Sequence, residues 1–324
     1  MLILGIETSC DETACAIVRD GREVLSNIVA SQIKTHAEFG GVIPEIAARE
    51  HLDAINVCIK EAYREAGVSA NDIDAFASTV GPGLVGCLLV GLNSAKTLSI
   101  VHNKPYIGVN HLQAHISANF LETELEPPFM GLLVSGGHTQ IIYVEDYDKQ
   151  KIVAQTIDDA VGEVYDKVAR LMGLPYPGGI MLDKMAQEGS KNAFKLPRAR
   201  VGEDEFSFSG LKTAVLRLVQ SFNGKELPKH DIAASFQECV SETLIQKLLI
   251  QADKYNCKKI VLAGGVAANS ELRRKIAELN NKGYITQAPK MKFCTDNAAM
   301  IASCAYFNPI KTDNPLELEV FSRG

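Results

Sequence analysis

No two of the eight cysteines, Cys10, Cys15, Cys58, Cys87, Cys239, Cys257, Cys294 and Cys304, are spaced C-x-x-C. That removes a zinc ribbon, and their scatter removes a disulfide framework, so most are expected as reduced, core-packed thiols. No run of eighteen apolar residues occurs, so no membrane span is expected. The opening MLILGIETSC has no basic flank and turns polar after six residues, which reads as a buried first strand rather than a signal peptide. A cytoplasmic enzyme is the expectation. A basic excess is missing too: 33 Lys and Arg against 39 Asp and Glu leave a net charge of -6. A chain that binds nucleic acid alone usually carries the opposite balance, so such a role needs a local patch or a partner. The local candidates are Lys191, Lys195, Arg198 and Arg200, then Arg273, Arg274 and Lys275; a solvated loop and a solvated helix face explain them equally well.

Three catalytic signatures are also absent. GPGLVG at 81–86 fits G-x-G-x-x-G, but 97–110 hold no acid for a ribose, so a dinucleotide fold is disfavoured. Lys96 in NSAKT lacks the glycine loop of a Walker A motif. His111 and His115, in NHLQAHISAN, stand at i, i+4 and share a helix face, but Leu112 occupies the place of the glutamate in HExxH. A water-activating protease therefore lacks its base. A metal site remains open, needing a third ligand such as a carboxylate, and so does a pair of ordinary helix histidines.

What is present is an alternation of strands and helices without low-complexity segments or long linkers. At 324 residues, 46% hydrophobic and 22% charged, the chain suits two domains with ample core. LILGIETSCDETACAIV (2–18) and MGLLVSGGHTQIIYVED (130–146) each read as apolar strand, small polar turn, apolar strand, that is, as hairpins. One opening each half suggests a duplicated α/β domain with a cleft between the copies. Residues 45–66 read as a helix stopped by Gly67, 72–80 as a strand, Leu84 to about Ile100 as a helix, and Ile232, Phe236, Val240, Leu244 and Leu248 as a helix stripe. VSGGHT (134–139) and AGGVAAN (263–269) place paired glycines directly after apolar strands, where bare amides can cradle a phosphate.

Taken in order, GIETSCDETA, GGVIPEIAAREH, TVGPGLVGCLLVG, NHLQAH, LLVSGGHTQ, EVYDKVARLMGLPYPGG, FSFSGLKTA, LAGGVAAN and CTDNAAMIA closely resemble the tRNA N6-adenosine threonylcarbamoyltransferase family in its bacterial form, formerly known as O-sialoglycoprotein endopeptidases. The resemblance runs from residue 3 to about 305. It implies an α/β fold of the actin and sugar-kinase type, two ribonuclease-H-like halves around a central nucleotide cleft. The first would be 1–118, completed by a C-terminal helix at about 296–324, and the second 119–295. It also implies the reaction: threonylcarbamoyl-AMP donates its acyl group to the exocyclic N6 of the adenosine 3′ of the tRNA anticodon, and AMP leaves.

The resemblance implies His111, His115 and Asp296 as ligands of one divalent metal, iron or zinc. It implies Val134, Ser135, Gly136, Gly137 and His138 around the donor, with Asp166, Gly179, Asp183 and Asn269 on the nucleoside, whether threonylcarbamoyl-AMP or ATP/ADP. Asp11, in the SCDET turn, is the candidate general base, with turn fixation or phosphate or metal assistance as the rival role. Gln113, Ile180 and Met181 depart from the family's common residues beside these positions. The implied partners are tRNA, a degenerate paralogue and a small P-loop ATPase, with no membrane. Two other readings stay open: an ATP-dependent small-molecule kinase of the same superfamily, and a non-enzymatic nucleotide-sensing scaffold.

Overall fold

A computed structural model describes residues 1–322. The chain divides into two compact units, Met1–Glu126 with Pro289–Gly324, and Pro127–Ala288. The strands are β1 (Leu2–Glu7), β2 (Glu12–Arg19), β3 (Glu23–Ser31), β4 (Ala75–Gly81), β5 (Tyr106–Asn110), β6 (Phe129–Val134), β7 (Thr139–Asp146), β8 (Lys149–Thr156), β9 (Glu205–Phe206), β10 (Lys259–Ala263) and β11 (Ile285–Gln287). The helices are α1 (Ile33–Phe39), α2 (Pro44–Ala66), α3 (Val85–His102), α4 (His111–Ser117), α5 (Val161–Leu171), α6 (Gly178–Ala186), α7 (Ser209–Ser221), α8 (Lys229–Lys254), α9 (Ser270–Glu278) and α10 (Ala298–Phe307).

Both units use one strand plan. In the first, the order is β3-β2-β1-β4-β5: an antiparallel meander whose first strand pairs in parallel with β4, and β4 with β5. In the second, β8-β7-β6-β10-β11 repeats it, with the two-residue β9 added at the edge. The two hairpins read from the sequence are the β1–β2 and β6–β7 pairs, and they hold equivalent places in the two sheets.

The first sheet is covered on both faces, so β1 is buried almost throughout rather than alternating. Successive side chains still point to opposite faces. Ile3, Ala14 and Ala16 pack with Ala298, Ala299, Ile301 and Ala302 of α10. Leu4, Ile6, Cys15 and Ile17 pack with Ile55 and Cys58 of α2 and Val90, Leu92 and Ala95 of α3. Helix α2 opens with Pro44 and closes on Gly67 at φ 66, a left-handed stop that glycine takes without strain. Helix α3 has the length and apolarity of a membrane span, but Cys87, Leu88, Leu92 and Ala95 are buried in the first unit's core.

The C-terminal helix expected over about 296–324 is shorter: α10 ends at Phe307, Pro309 follows, and only Pro315–Glu317 forms a further 3-10 turn. Proline lacks the amide that a continuing helix donates. The last two residues of that expected segment lie outside the described residues.

Gly5 sets how closely α10 approaches β1. A Cβ there would lie 2.6 Å from the Ala298 carbonyl oxygen and 2.8 Å from the Ala302 nitrogen, both backbone atoms. Gly5→Ala is therefore expected to cost about 1–3 kcal/mol through overpacking, read as a lower urea midpoint.

Candidate functional site

In the first unit the carboxyl ends of three neighbouring strands, β1, β4 and β5, carry Glu7, Thr79 and the Asn110–His111 junction. Ligands of open α/β sheets sit at such ends. The Asn110 side chain accepts from the amides of Leu112 (2.9 Å) and Gln113 (3.2 Å), capping α4 so that His111 is its first residue and His115 lies one turn on. The two rings meet edge to face with centroids 4.7 Å apart.

Asp296 comes from the far end of the chain, just before α10. Its neighbour Asn297 caps that helix by accepting from the Met300 amide at 3.1 Å, and donates to the carbonyls of Phe293 and Thr295. Asp296 Oδ1 then lies 3.2 Å from His115 Nε2 and 3.6 Å from His111 Nε2. One ligand atom from each of the three residues falls within 4.8 Å of the others. The structure thus brings all three expected ligands together. Two imidazoles and a carboxylate at this spacing fit a zinc or iron ion.

The surrounding charge agrees with a cation. Burial pushes the Asp296 carboxyl up, but the imidazoles of His111 and His115 pull it further down, leaving it below the usual aspartate range. Burial disfavours protonation of His111, yet Asp296 and Glu7 outweigh it and raise the group to about 9. Glu12 moves the other way: burial, then the charges of Asp296 and Asp11, hold its carboxyl well above the glutamate range. Crowded carboxylates of this kind gain from a bound divalent ion. Asp11, the candidate base, is buried in the β1–β2 turn beside Glu12, and its carbonyl accepts from the Gln32 amide at 2.9 Å.

Two residues that sequence reasoning passed over belong here. Glu7, fully buried, contacts His111 Nδ1 at 3.0 Å. Glu12 faces the same carboxylates. The available signal was an acid closing the otherwise apolar LILGIE, a costly place for a charge without partners.

In the second unit the two double-glycine turns lie side by side at the ends of the parallel pair β6–β10. Gly264, at φ 87, approaches so closely that a Cβ would sit 2.4 Å from the Val134 carbonyl oxygen. Gly162 of α5 donates its amide to the Ser135 carbonyl at 3.1 Å, and a Cβ there would clash at 2.6 Å. The SGGH turn is closed by the Ser135 amide donating to the His138 carbonyl (2.8 Å) and the His138 amide to Ser135 Oγ (3.1 Å). Gly136 and Gly137 are exposed, with open space where a side chain would stand. Backbone amides there are accessible to an anion.

The expected nucleoside residues fall in two groups around that turn. Asp166 on α5 accepts from the amides of Gly178 (2.9 Å) and Gly179 (3.3 Å) at the start of α6. Asp183 on α6 accepts from Ser270 Oγ (2.7 Å), Asn269 Nδ2 (3.2 Å) and Gln237 Nε2 (3.0 Å). Asn269 also caps α9 through the Leu272 amide at 3.0 Å. Both aspartates are thus fixed by intramolecular donors, while a carboxylate keeps acceptor capacity beyond them. Gln237 and Ser270 had no motif to mark them.

Most of the basic residues flagged in the sequence are engaged within the unit. Lys191 pairs with Glu271 at 2.7 Å, Lys275 with Glu238 at 2.7 Å, Arg274 with Glu271 at 2.6 Å, and Arg198 with Glu242. Arg273 donates to the Ala267 carbonyl at 3.0 Å. Lys191 and Arg198 tie the irregular 187–202 segment to α9 and α8, and Lys275 ties α9 to α8.

Comparison with known proteins places this geometry. The family model described as "TsaD: tRNA N6-adenosine threonylcarbamoyltransferase" matches residues 23–303. A protein of that name from Clostridium beijerinckii is 53% identical over 313 residues, covering 95% of this chain and 92% of the relative. Another from Caldicellulosiruptor bescii is 51% identical over 314 residues, covering 95% and 93%. Among solved structures, full-length HypF in its phosphate- and nucleotide-bound form aligns with a TM-score of 0.62 at 16% identity, covering 94% of this chain and 46% of HypF. The (R)-2-hydroxyglutaryl-CoA dehydratase component A of Acidaminococcus fermentans aligns at 0.56 and 18%, covering 94% and 98%. At such identities these neighbours speak to the fold alone, the actin-like architecture of two α/β units. The family match and the relatives carry the conclusion: the chain belongs to the tRNA N6-adenosine threonylcarbamoyltransferase family.

Proposed function

We propose that the chain transfers the threonylcarbamoyl group from threonylcarbamoyl-AMP to the exocyclic N6 of the adenosine 3′ of the tRNA anticodon. The bond from N6 to the carbamoyl carbon forms, the bond from that carbon to the phosphate oxygen breaks, and AMP leaves with the electron pair. The observation that carries the reading is the convergence of His111, His115 and Asp296 in a chain of this family.

Each unit contributes a separable task. In the second, the open amides of Gly136 and Gly137 and the adjoining Gly264–Gly265 turn suit the phosphate of an adenine nucleotide, with Val134, Ser135 and His138 shaping the turn. Asp166, Gly179, Asp183 and Asn269, held by the network around α5, α6 and α9, are the proposed nucleoside contacts. Amides fixed in advance of the leaving phosphate's charge need no reorganisation as it develops, and such donors contribute about 3 kcal/mol or more. In the first unit, His111, His115 and Asp296 would hold one divalent ion, which when bound supplies Lewis-acid polarisation of an acyl carbonyl and a positive anchor for an anion. Asp11 is the proposed acceptor of the proton released from N6. With Lys191, Arg198, Arg274 and Lys275 committed to internal ion pairs, tRNA affinity is assigned largely to partners, a degenerate paralogue and a small P-loop ATPase.

Three outcomes follow. Nucleoside analysis of tRNA incubated with the protein, threonylcarbamoyl-AMP and active partners should show the modified adenosine; Asp296→Ala should lower its yield at least ~100-fold, and a wild-type yield of zero sinks the proposal. Single-turnover transfer by Asp11→Asn, with donor in excess, should slow by about 100-fold or more, whereas an unchanged rate removes Asp11 as base. His111 retains a proton up to about pH 9, and a ligating ion must displace it. Apparent zinc affinity should therefore climb as pH rises from 7 toward 9, by up to about tenfold per unit, and flatten above; a flat profile from 7 to 9 argues that His111 is not a ligand.

A further inference from the structure

We infer that Glu7 is a positioning residue for the metal site, holding His111 through a Nδ1 proton donated to the Glu7 carboxylate, so that Nε2, on the Asp296 side, is the atom offered to a metal. The inference rests on the metal reading given above and concerns a residue outside the ligand set. Glu7 ends β1 with no exposed surface, after five residues of apolar or glycine strand. A carboxylate in that place is costly unless its oxygens are satisfied. Oε1 accepts from the Ser9 amide, and Oε2 accepts from Thr79 Oγ1 at 2.6 Å and lies 3.0 Å from His111 Nδ1. Ser9 and Thr79 come from the turn after β1 and from the neighbouring strand β4, so the carboxylate is pinned before it meets the histidine.

Because a carboxylate only accepts, the ring nitrogen facing it must carry the proton. With Nδ1 committed to Glu7, Nε2, the atom 3.6 Å from Asp296, is the nitrogen that gives up its proton to ligate. A ring nitrogen hydrogen-bonded in this way also makes the opposite nitrogen a better donor to a metal. His115 offers a contrast within the same site. Its Nδ1 is buried with no hydrogen-bond partner among the described residues, so the only polar contact of that ring is the one its Nε2 makes with Asp296 at 3.2 Å. Among the described residues, a carboxylate behind the ring, on the side away from Asp296, is therefore found at His111 and not at His115. Ser9 Oγ, 3.3 Å from the same Nδ1, is a longer and more adaptable contact, since a hydroxyl either donates or accepts.

Glu7→Gln tests this with little change of volume. If the amide oxygen stays on the Ser9 amide, its NH2 faces His111 Nδ1, which becomes the acceptor and moves the ring proton onto Nε2. If the amide flips, its NH2 faces the Ser9 amide instead, donor against donor. Either arrangement weakens the ligand. Zinc binding by the full-length protein would be measured by competition with a chromophoric chelator, alongside His111→Ala, Thr79→Val and thermal unfolding of each. The expected result is an affinity about 10- to 100-fold weaker for Glu7→Gln and a smaller loss for Thr79→Val, which frees the carboxylate without removing it. In zinc-loaded, 15N-histidine-labelled wild type, His111 should show the Nδ1-protonated, Nε2-ligated pattern, with that Nδ1 proton lost or shifted in Glu7→Gln. A purely structural role would lower the unfolding temperature without moving the affinity or this signature. Wild-type affinity and an unaltered Nδ1 signal in a folded Glu7→Gln overturn the inference alone. If Glu7→Gln does not fold, wild-type affinity in Thr79→Val overturns it. Wild-type zinc binding no stronger than that of His111→Ala overturns the metal reading itself, and the inference with it.

Discussion

The close approach of α10 to β1, allowed by Gly5, is the contact on which the first unit depends. Backbone meets backbone there, and the alanines of α10 leave no bulk to hold the helix away. The helix is contributed by the last part of the chain, nearly 300 residues after the strand it covers. Its docking completes one face of the first sheet's core. It also carries Asp296, the residue before its cap, to α4, so the packing that closes the core assembles the candidate metal site. A misplaced α10 would lose both at once.

How much of this was legible follows from what each feature depends on. The hairpins, the long helices and the glycine turns are local: each is fixed by residues within a few positions, and period and turn chemistry expose them. The i, i+4 histidines belong to the same class, and Asn110 capping α4 makes their spacing a real helical one. Asp296 and Glu7 are different. One of 39 acids becomes a ligand only because α10 returns to β1, and a strand-end glutamate becomes its neighbour only because three parallel strands end together. Spacing along the chain carries no trace of either event; motif resemblance pointed to Asp296 and left Glu7 unmarked.

The basic residues teach the reverse lesson. Lys191, Arg198, Arg274 and Lys275 look like a surface for phosphates when read as a list of charges. In the structure they meet Glu271, Glu238 and Glu242, acids equally visible in the sequence but far from most of them along it. Their charge is spent fixing an irregular segment to two helices, through Lys191 and Arg198, and on pairs within and between those helices, through Arg274 and Lys275. A net charge of -6 is then not offset by a free cationic face among these residues.

The same strand plan serves opposite electrostatics in the two units. At the strand ends of the first, carboxylates and imidazoles crowd together and shift one another's protonation, an arrangement suited to a cation. At the equivalent ends of the second, glycines leave open space where side chains would stand, an arrangement that lets an anion approach the backbone. The difference lies in the residues gathered at those ends: Glu7, His111, His115 and Asp296 with the SCDE turn in the first unit, and the SGGH and Gly264–Gly265 turns in the second. One strand plan thus carries two different sets of chemical groups at its ends. That separation explains why neighbours sharing less than a fifth of their residues superpose over most of this chain: the fold constrains the strands, and the turns remain free to specify the reaction.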